Sequence, residues 1–165
     1  MALLPLISSI GCYGVLLTTG LGSADWPGAA DMIIYVPVRI PEDCNIGRVF
    51  VANGGAVSGN MNVGLYDSTG SKLWECGSTA QSGTSQLQFI TCSQSITAGL
   101  HYMALQLSNY GTAQVQRKSP TLWFLQVAGV MQEQAGSFAL PATATFAKLA
   151  NAYLPAFGLD LRGAV

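Results

Sequence analysis

Apolar and polar residues alternate along much of this chain with the period of two that belongs to strands. From Met32 to Ile40, the residues Met32, Ile34, Val36, Val38 and Ile40 fall on one face, with Tyr35 and Arg39 on the other. Pro37 lacks an N–H, so one side of this strand cannot be fully paired, and an edge position or a bulge is expected there. Ile46 to Asn53 predicts a second strand closed by a turn at Asn53-Gly54-Gly55, and Met61 to Asp67 predicts a third. Asp67-Ser68-Thr69-Gly70 has hairpin chemistry: Asp at the first position bonds the turn backbone, and Gly at the fourth tolerates positive φ. Lys72 to Cys76 is the expected return strand, followed by a polar loop from Ser78 to Ser85. Further strands are predicted at Gln86 to Cys92, at Leu100 to Leu107 after Gly99, and at Gln114 to Arg117.

Short strands at this spacing, with turn residues between them and no βαβ alternation, predict an all-β antiparallel sandwich or barrel. Thr121 to Gln134 follows neither period cleanly, so that a short helix and a strand suit it equally. Phe138 to Gly163 reads as an extended segment crossing a sheet, with Pro141, Pro155 and an alternation at Phe157, Leu159 and Leu161. The chain thus divides into an N-terminal arm (1–30), a core (31–118) and a C-terminal segment that completes the sandwich (119–165).

Composition sharpens this picture. Half of the 165 residues are hydrophobic and only 9% are charged, where a typical domain has about a quarter charged. So few charges cannot cover a monomer's surface well, which points to burial in an oligomer or a larger assembly, or to a membrane. No apolar run reaches the ~20 residues of a spanning helix, so assembly is favoured and no membrane partner is expected. Met1 to Gly22 lacks the basic start of a secretory signal and is broken by Pro5, Ser8, Ser9 and Gly11. It is expected to be an apolar arm that docks on its own domain or on a neighbouring subunit. Seven basic and eight acidic residues give no footprint for nucleic acid, and the Arg117-Lys118 pair is expected in a short solvated loop.

Catalytic constellations are hard to assemble from these residues. His101, the one histidine, sits within a predicted strand, where a structural role is expected. Asp67 has a turn role, Glu75 lies across the same hairpin, and Glu42-Asp43 follows Pro41 in a connecting loop, so no facing pair of acids emerges. No calcium-loop, phosphate-loop or dinucleotide motif is present. Cys12, Cys44, Cys76 and Cys92 show no zinc-type spacing; free thiols are expected, with one disulfide as the alternative. The chain is therefore expected to be no enzyme and to carry no metal or cofactor. Among the aromatics near strands, Trp74 and Tyr102 are expected to pack in the core, as is the bland reading of Tyr66, while Tyr110 beside Asn109 and Gly111 is expected to be exposed. Tyr110, Asn109 and Gln81 are the candidate contacts for a glycan or a protein partner.

Several motifs carry a family resemblance. They are Tyr35-Val36-Pro37, Asn53-Gly54, Ser58-Gly59-Asn60, Val63-Gly64-Leu65-Tyr66-Asp67, Gly77-Ser78-Thr79-Ala80-Gln81-Ser82-Gly83 and Gly99-Leu100-His101-Tyr102. In this order they resemble phage virion jelly-roll structural proteins, with His101 standing where the family pattern has an aromatic. The likeness extends to Ala128-Gly129-Val130, Leu140-Pro141-Ala142-Thr143 and the stretch from Pro155 to Arg162. It implies a two-sheet, jelly-roll-like antiparallel β-sandwich that forms symmetric oligomers, often homotrimers, located in the virion after assembly in the host cytoplasm.

Two functions follow from that resemblance. In the first, the chain is a capsid decoration or cement protein whose partners are copies of itself and the major capsid protein or another virion protein. In the second, it is a tail-fibre or receptor-binding module that recognises host-surface glycans through Tyr110 and its neighbours. A carbohydrate-binding module of a larger enzyme ranks behind both, on the expectation that a chain starting at Met1 with no linker stands alone.

Overall fold

The computed structural model describes residues 7–8, 21–27 and 31–160. In chain order its elements are β1 (Ile7–Ser8), β2 (Gly22–Asp25), β3 (Met32–Ile40), β4 (Cys44–Ala52), β5 (Asn60–Asp67), β6 (Lys72–Glu75) and β7 (Thr79–Ala80). There follow β8 (Leu87–Ile96), β9 (Gly99–Leu107), β10 (Gln114–Lys118), α1 (Leu122–Val127), β11 (Met131–Gln134), β12 (Ala147–Lys148), β13 (Leu154–Pro155) and β14 (Phe157–Asp160). The molecule is an all-β antiparallel sandwich. A seven-stranded sheet runs β12-β11-β3-β9-β5-β6, with β7 also on β5; a four-stranded sheet runs β1-β14-β4-β8; a small third sheet runs β13-β10-β2. This departs from the two sheets expected from the resemblance. Among the described residues, no helix is long and apolar enough to cross a membrane.

The main core lies between the sheets. Met32, Ile34, Val36, Val38 and Ile40 of β3 join Val49 and Val51 of β4, Met61, Val63 and Leu65 of β5, Met103, Leu105 and Leu107 of β9, and Phe157 and Leu159 of β14. The opposite face of β3 is buried as well. Ile33 and Tyr35 pack with Tyr66, Ala104 and Leu140 in a second, smaller core, beneath the segment that follows β11. That explains why β3 reads as an almost unbroken apolar run. Tyr35 and Tyr66 meet edge to face at 5.2 Å, and their hydroxyls donate to Glu133 Oε2 and to the carbonyl of Pro141. Burial pushes both phenols well above the usual tyrosine range.

Local chemistry accounts for the joints. At Pro37 the sheet behaves as expected of an edge: β11 covers β3 only from Met32 to Tyr35, and Pro37 lies beyond the last of these pairs. The turn after β5 also forms as expected, with Asp67 Oδ1 accepting from the N–H groups of Thr69 and Ser71 at 2.8 and 2.9 Å and Gly70 at φ +91°. The ambiguous 121–134 stretch contains both alternatives, α1 followed by β11. Leu125 anchors the helix in the core.

Three expectations are corrected. Asn53-Gly54-Gly55 is a crossing point, where Gly54 N donates to the Gln114 carbonyl at 2.8 Å and Asn53 bridges to Val115. The loop from Ser78 to Ser85 contains β7, paired to the start of β5. Arg117 and Lys118 are not in a solvated loop: both belong to β10, Lys118 is buried, and Arg117 lies over the Tyr153 ring. Within the expected N-terminal arm, β1 pairs with β14, β2 pairs with β10 and Trp26 is buried in the main core. The rest of that arm, and Leu161 to Val165, lie outside the described residues.

Candidate functional site

The three candidate contact residues come from one end of the sandwich, but they do different things. Gln81 follows β7 and is only 7% exposed. Its Nε2 donates to Asn53 Oδ1 at 3.0 Å and to the Gln114 carbonyl at 2.8 Å, while its Oε1 accepts from Ser58 N at 2.9 Å. Asn109, in the turn after β9, reaches the same serine: its Nδ2 donates to Ser58 Oγ at 2.8 Å. The structure therefore brings Gln81 and Asn109 together across Ser58, as braces of the 54–60 loop. Tyr110, at 49% exposure, presents its ring to solvent at the tip of that end, as its position beside Gly111 suggests.

The larger feature is the outer edge of the four-stranded sheet. Among the described residues β8 is the last strand there and pairs with β4 alone. Its ten residues, from Leu87 to Ile96, include no charge and no proline. The other strands that end sheets are two to four residues long, and most carry a protective residue: Lys72 and Glu75 in β6, Lys148 in β12, Asp25 in β2 and Pro155 in β13. Short length, charge and proline are the usual means by which an edge avoids pairing with another chain. β8 lacks all three.

Its side chains reinforce this. Leu87 and Phe89 point outward, at 54% and 42% exposure, while Ile90 and Cys92 face the core. Phe89 packs against Phe50 at 6.2 Å, and the Arg48 guanidinium lies 4.2 Å above its ring. Arg48 is held there by Asp160, Nε to Oδ2 at 2.7 Å. The result is an apolar ledge beside a sheet edge that no other described strand pairs with, the chemistry of strand addition. Elsewhere on the surface, α1 exposes Trp123 and Val127.

Reactive side chains are otherwise tied into the fold. His101 is buried, and its Nε2 lies 2.9 Å from the Thr97 carbonyl, which can only accept, so Nε2 carries the proton. Glu75 receives hydrogen bonds from Asn62 and Lys72; these outweigh its burial and hold it below the ordinary carboxylate range. A shallow hollow of about 350 Å³ is lined by Asp43, Cys44, Asn45, Ser95, Ile96 and Thr97. Asp43 there accepts from Ala98 N, and Asn45 accepts from Ser95. Burial, with Glu42 and Asp43 nearby, pushes the Cys44 thiol up. Among the described residues no group of three or more His, Cys, Asp or Glu is placed to hold a metal ion.

The β8 ledge was not among the residues singled out from sequence, although a signal for it exists. Leu87 and Phe89 alternate with Gln88 and Ile90, and the outward phase of that alternation is the one that carries the largest side chains. Comparison with protein-family models, with curated proteins and with solved structures found no match.

Proposed function

We propose that this chain is a structural component of a bacteriophage particle, a capsid decoration or cement protein that works by joining copies of itself to one another and to shell subunits. The observation that carries the reading is β8, ten uncharged residues that form a sheet edge with no second partner among the described residues and expose Leu87 and Phe89. Such an edge in an isolated monomer invites uncontrolled pairing, so its retention makes sense where a partner covers it. The sparse charge of the whole chain fits the same purpose, since surface buried in an assembly needs no solubilising groups. The jelly-roll motifs add the virion context and the homotrimer. In a closed three-fold ring β8 meets a different element of the next copy, because a β8-to-β8 contact would close at two.

The experiment is light scattering on the purified full chain, followed by mixing with empty shells. A trimer that binds shells is expected. The double variant Leu87→Lys with Thr91→Lys places two cations on the edge and should yield monomers with unchanged circular dichroism. A wild-type monomer without shell affinity refutes the proposal.

A further inference from the structure

Two buried amides on the outer face of the wide sheet each keep an acceptor that nothing in the protein satisfies. Asn62 of β5 and Gln106 of β9 are direct cross-strand partners, so their side chains leave the same face with Cβ atoms ~4.5–5.5 Å apart. It is the face that buries Ile33, Tyr66 and Ala104 with Leu140, and Ile33 flanks Gln106 from β3. Asn62 is 4% exposed and Gln106 0%. Each amide nitrogen is committed. Gln106 Nε2 donates to the carbonyls of Asp31 and Ser137 at 3.2 and 3.1 Å, and Asn62 Nδ2 donates to Glu75 Oε2 at 2.8 Å. Exchanging nitrogen and oxygen in either amide would set its oxygen against another acceptor, so both orientations are fixed. Asn62 Oδ1 and Gln106 Oε1 are therefore buried with no donor among the described residues.

The bonds around this pair form a run that starts and ends on the segment after β11. Gln106 holds the Ser137 carbonyl, Asn62 holds Glu75, Glu75 Oε1 accepts from Lys72 Nζ at 2.8 Å, and Lys72 Nζ also donates to the Leu140 carbonyl at 2.8 Å. The run is interrupted at one link, between Gln106 and Asn62, where two acceptors are neighbours. We propose that a single water molecule is held at that link, giving one hydrogen to Gln106 Oε1 and the other to Asn62 Oδ1. Buried water binds where polar groups find no partner in the protein itself.

The chemistry of the pair selects this occupant. Two neutral amide oxygens match the two hydrogens of water. A calcium ion takes about six to eight oxygens, and Glu75, the carboxylate that Asn62 reaches, already has both oxygens engaged. An apolar guest would leave both acceptors unsatisfied. The water joins β5 to β9 through side chains as well as backbone. It also carries the grip of Gln106 on Ser137 across to Lys72 and Leu140, so the 137–140 stretch is tied to the sheet at both ends through one buried molecule. The site lies within a single copy and is independent of the assembly reading.

The test is nuclear Overhauser spectroscopy between solvent water and the side-chain amides of the nitrogen-15-labelled full chain, compared with the rotating-frame experiment. Cross-peaks from water to the Asn62 Nδ2 and Gln106 Nε2 protons are expected, with the sign of a water held inside the protein. The exposed amide of Gln94 should give the sign of water passing over the surface. In Asn62→Leu the water loses one of its two acceptors, and the Gln106 peak should vanish. Absence of the held-water peak at either amide of the wild type overturns the proposal, as does a Gln106 peak that survives in Asn62→Leu. Peaks lost in Ser137→Ala come from exchange through that hydroxyl and overturn it too. A melting temperature that rises in potassium or calcium chloride over choline chloride at equal ionic strength, without held-water peaks, assigns the place to a cation instead. The wild-type spectrum decides the matter whether or not the variants fold.

Discussion

Replacing Gly54 with alanine isolates a steric effect at the place where three segments cross. A Cβ at this position would stand 2.4 Å from Ser23 Oγ, 2.6 Å from Gln114 Cβ and 3.0 Å from the Gln114 carbonyl carbon. Neither neighbour can simply withdraw. Ser23 Oγ donates to Gln114 Oε1 at 2.7 Å and accepts from Gly55 N at 2.6 Å, and Gly54 N holds the Gln114 carbonyl. Gly54 is not among the residues with positive φ, so alanine suits its backbone and the penalty is one of space. Overpacking costs ~1–3 kcal/mol, and each hydrogen bond given up by Ser23 costs ~1 kcal/mol. The reduced freedom of the unfolded alanine chain returns ~0.4–1 kcal/mol. A net loss of about 3 kcal/mol is expected, which lowers Tm by roughly 6–12 °C in a chain of this size. Thermal unfolding followed by circular dichroism measures it. The control is Gly22→Ala in β2, where a new Cβ meets nothing within 4 Å and Tm should hold. If Gly54→Ala melts within a degree or two of the wild type, β2 and β10 do not press on this glycine as described.

Three other outcomes follow. Asp67, held below its ordinary range mainly by the Thr69 hydroxyl and then by the Ser71 amide, stabilises the fold above the unfolded aspartate value of ~4. That contribution is lost as pH falls through its lower folded value, so Asp67→Asn should flatten the acid limb of a stability-against-pH curve. Tyr66→Phe leaves the Pro141 carbonyl without its 2.8 Å donor and should cost ~1–2 kcal/mol by urea titration. Leu125→Ala removes the one buried anchor of α1 and should cost ~2–4 kcal/mol, with faster amide exchange confined at first to 121–130.

Strands with a clean alternation were legible. β3, β5 and β9 begin and end close to their sequence limits, because their core faces are filled by aliphatic residues at every second position. The turn at Asp67 was legible for a chemical reason, since a short Asp or Asn side chain, and less strongly a Ser or Thr hydroxyl, bonds a turn backbone in that way. Other features depend on contacts between distant segments. The burial of both faces of β3 arises only once Leu140 and Phe146 come to lie across it. Gln81 sits in a polar stretch that reads as loop, and nothing local reveals that Asn53, Ser58 and Gln114 converge on its amide. β8 continues to Ile96 through Ser93, Gln94 and Ser95, whose polarity masks a strand lying at an edge.

The placement of β14 bears on how the protein is made. β14 lies between β1 and β4, and its Asp160 joins Arg48 across 112 positions of sequence. During synthesis β4 emerges early and gains β8 on one side, while its other side waits for a strand that the ribosome has yet to translate. Long-range pairing of this kind is slow, and until it happens Val49 and Val51 border an unfilled slot. The interval before β14 arrives is thus the vulnerable period of biogenesis. Slower growth or a holding chaperone during that interval should improve the yield of native protein more than any change to the finished fold.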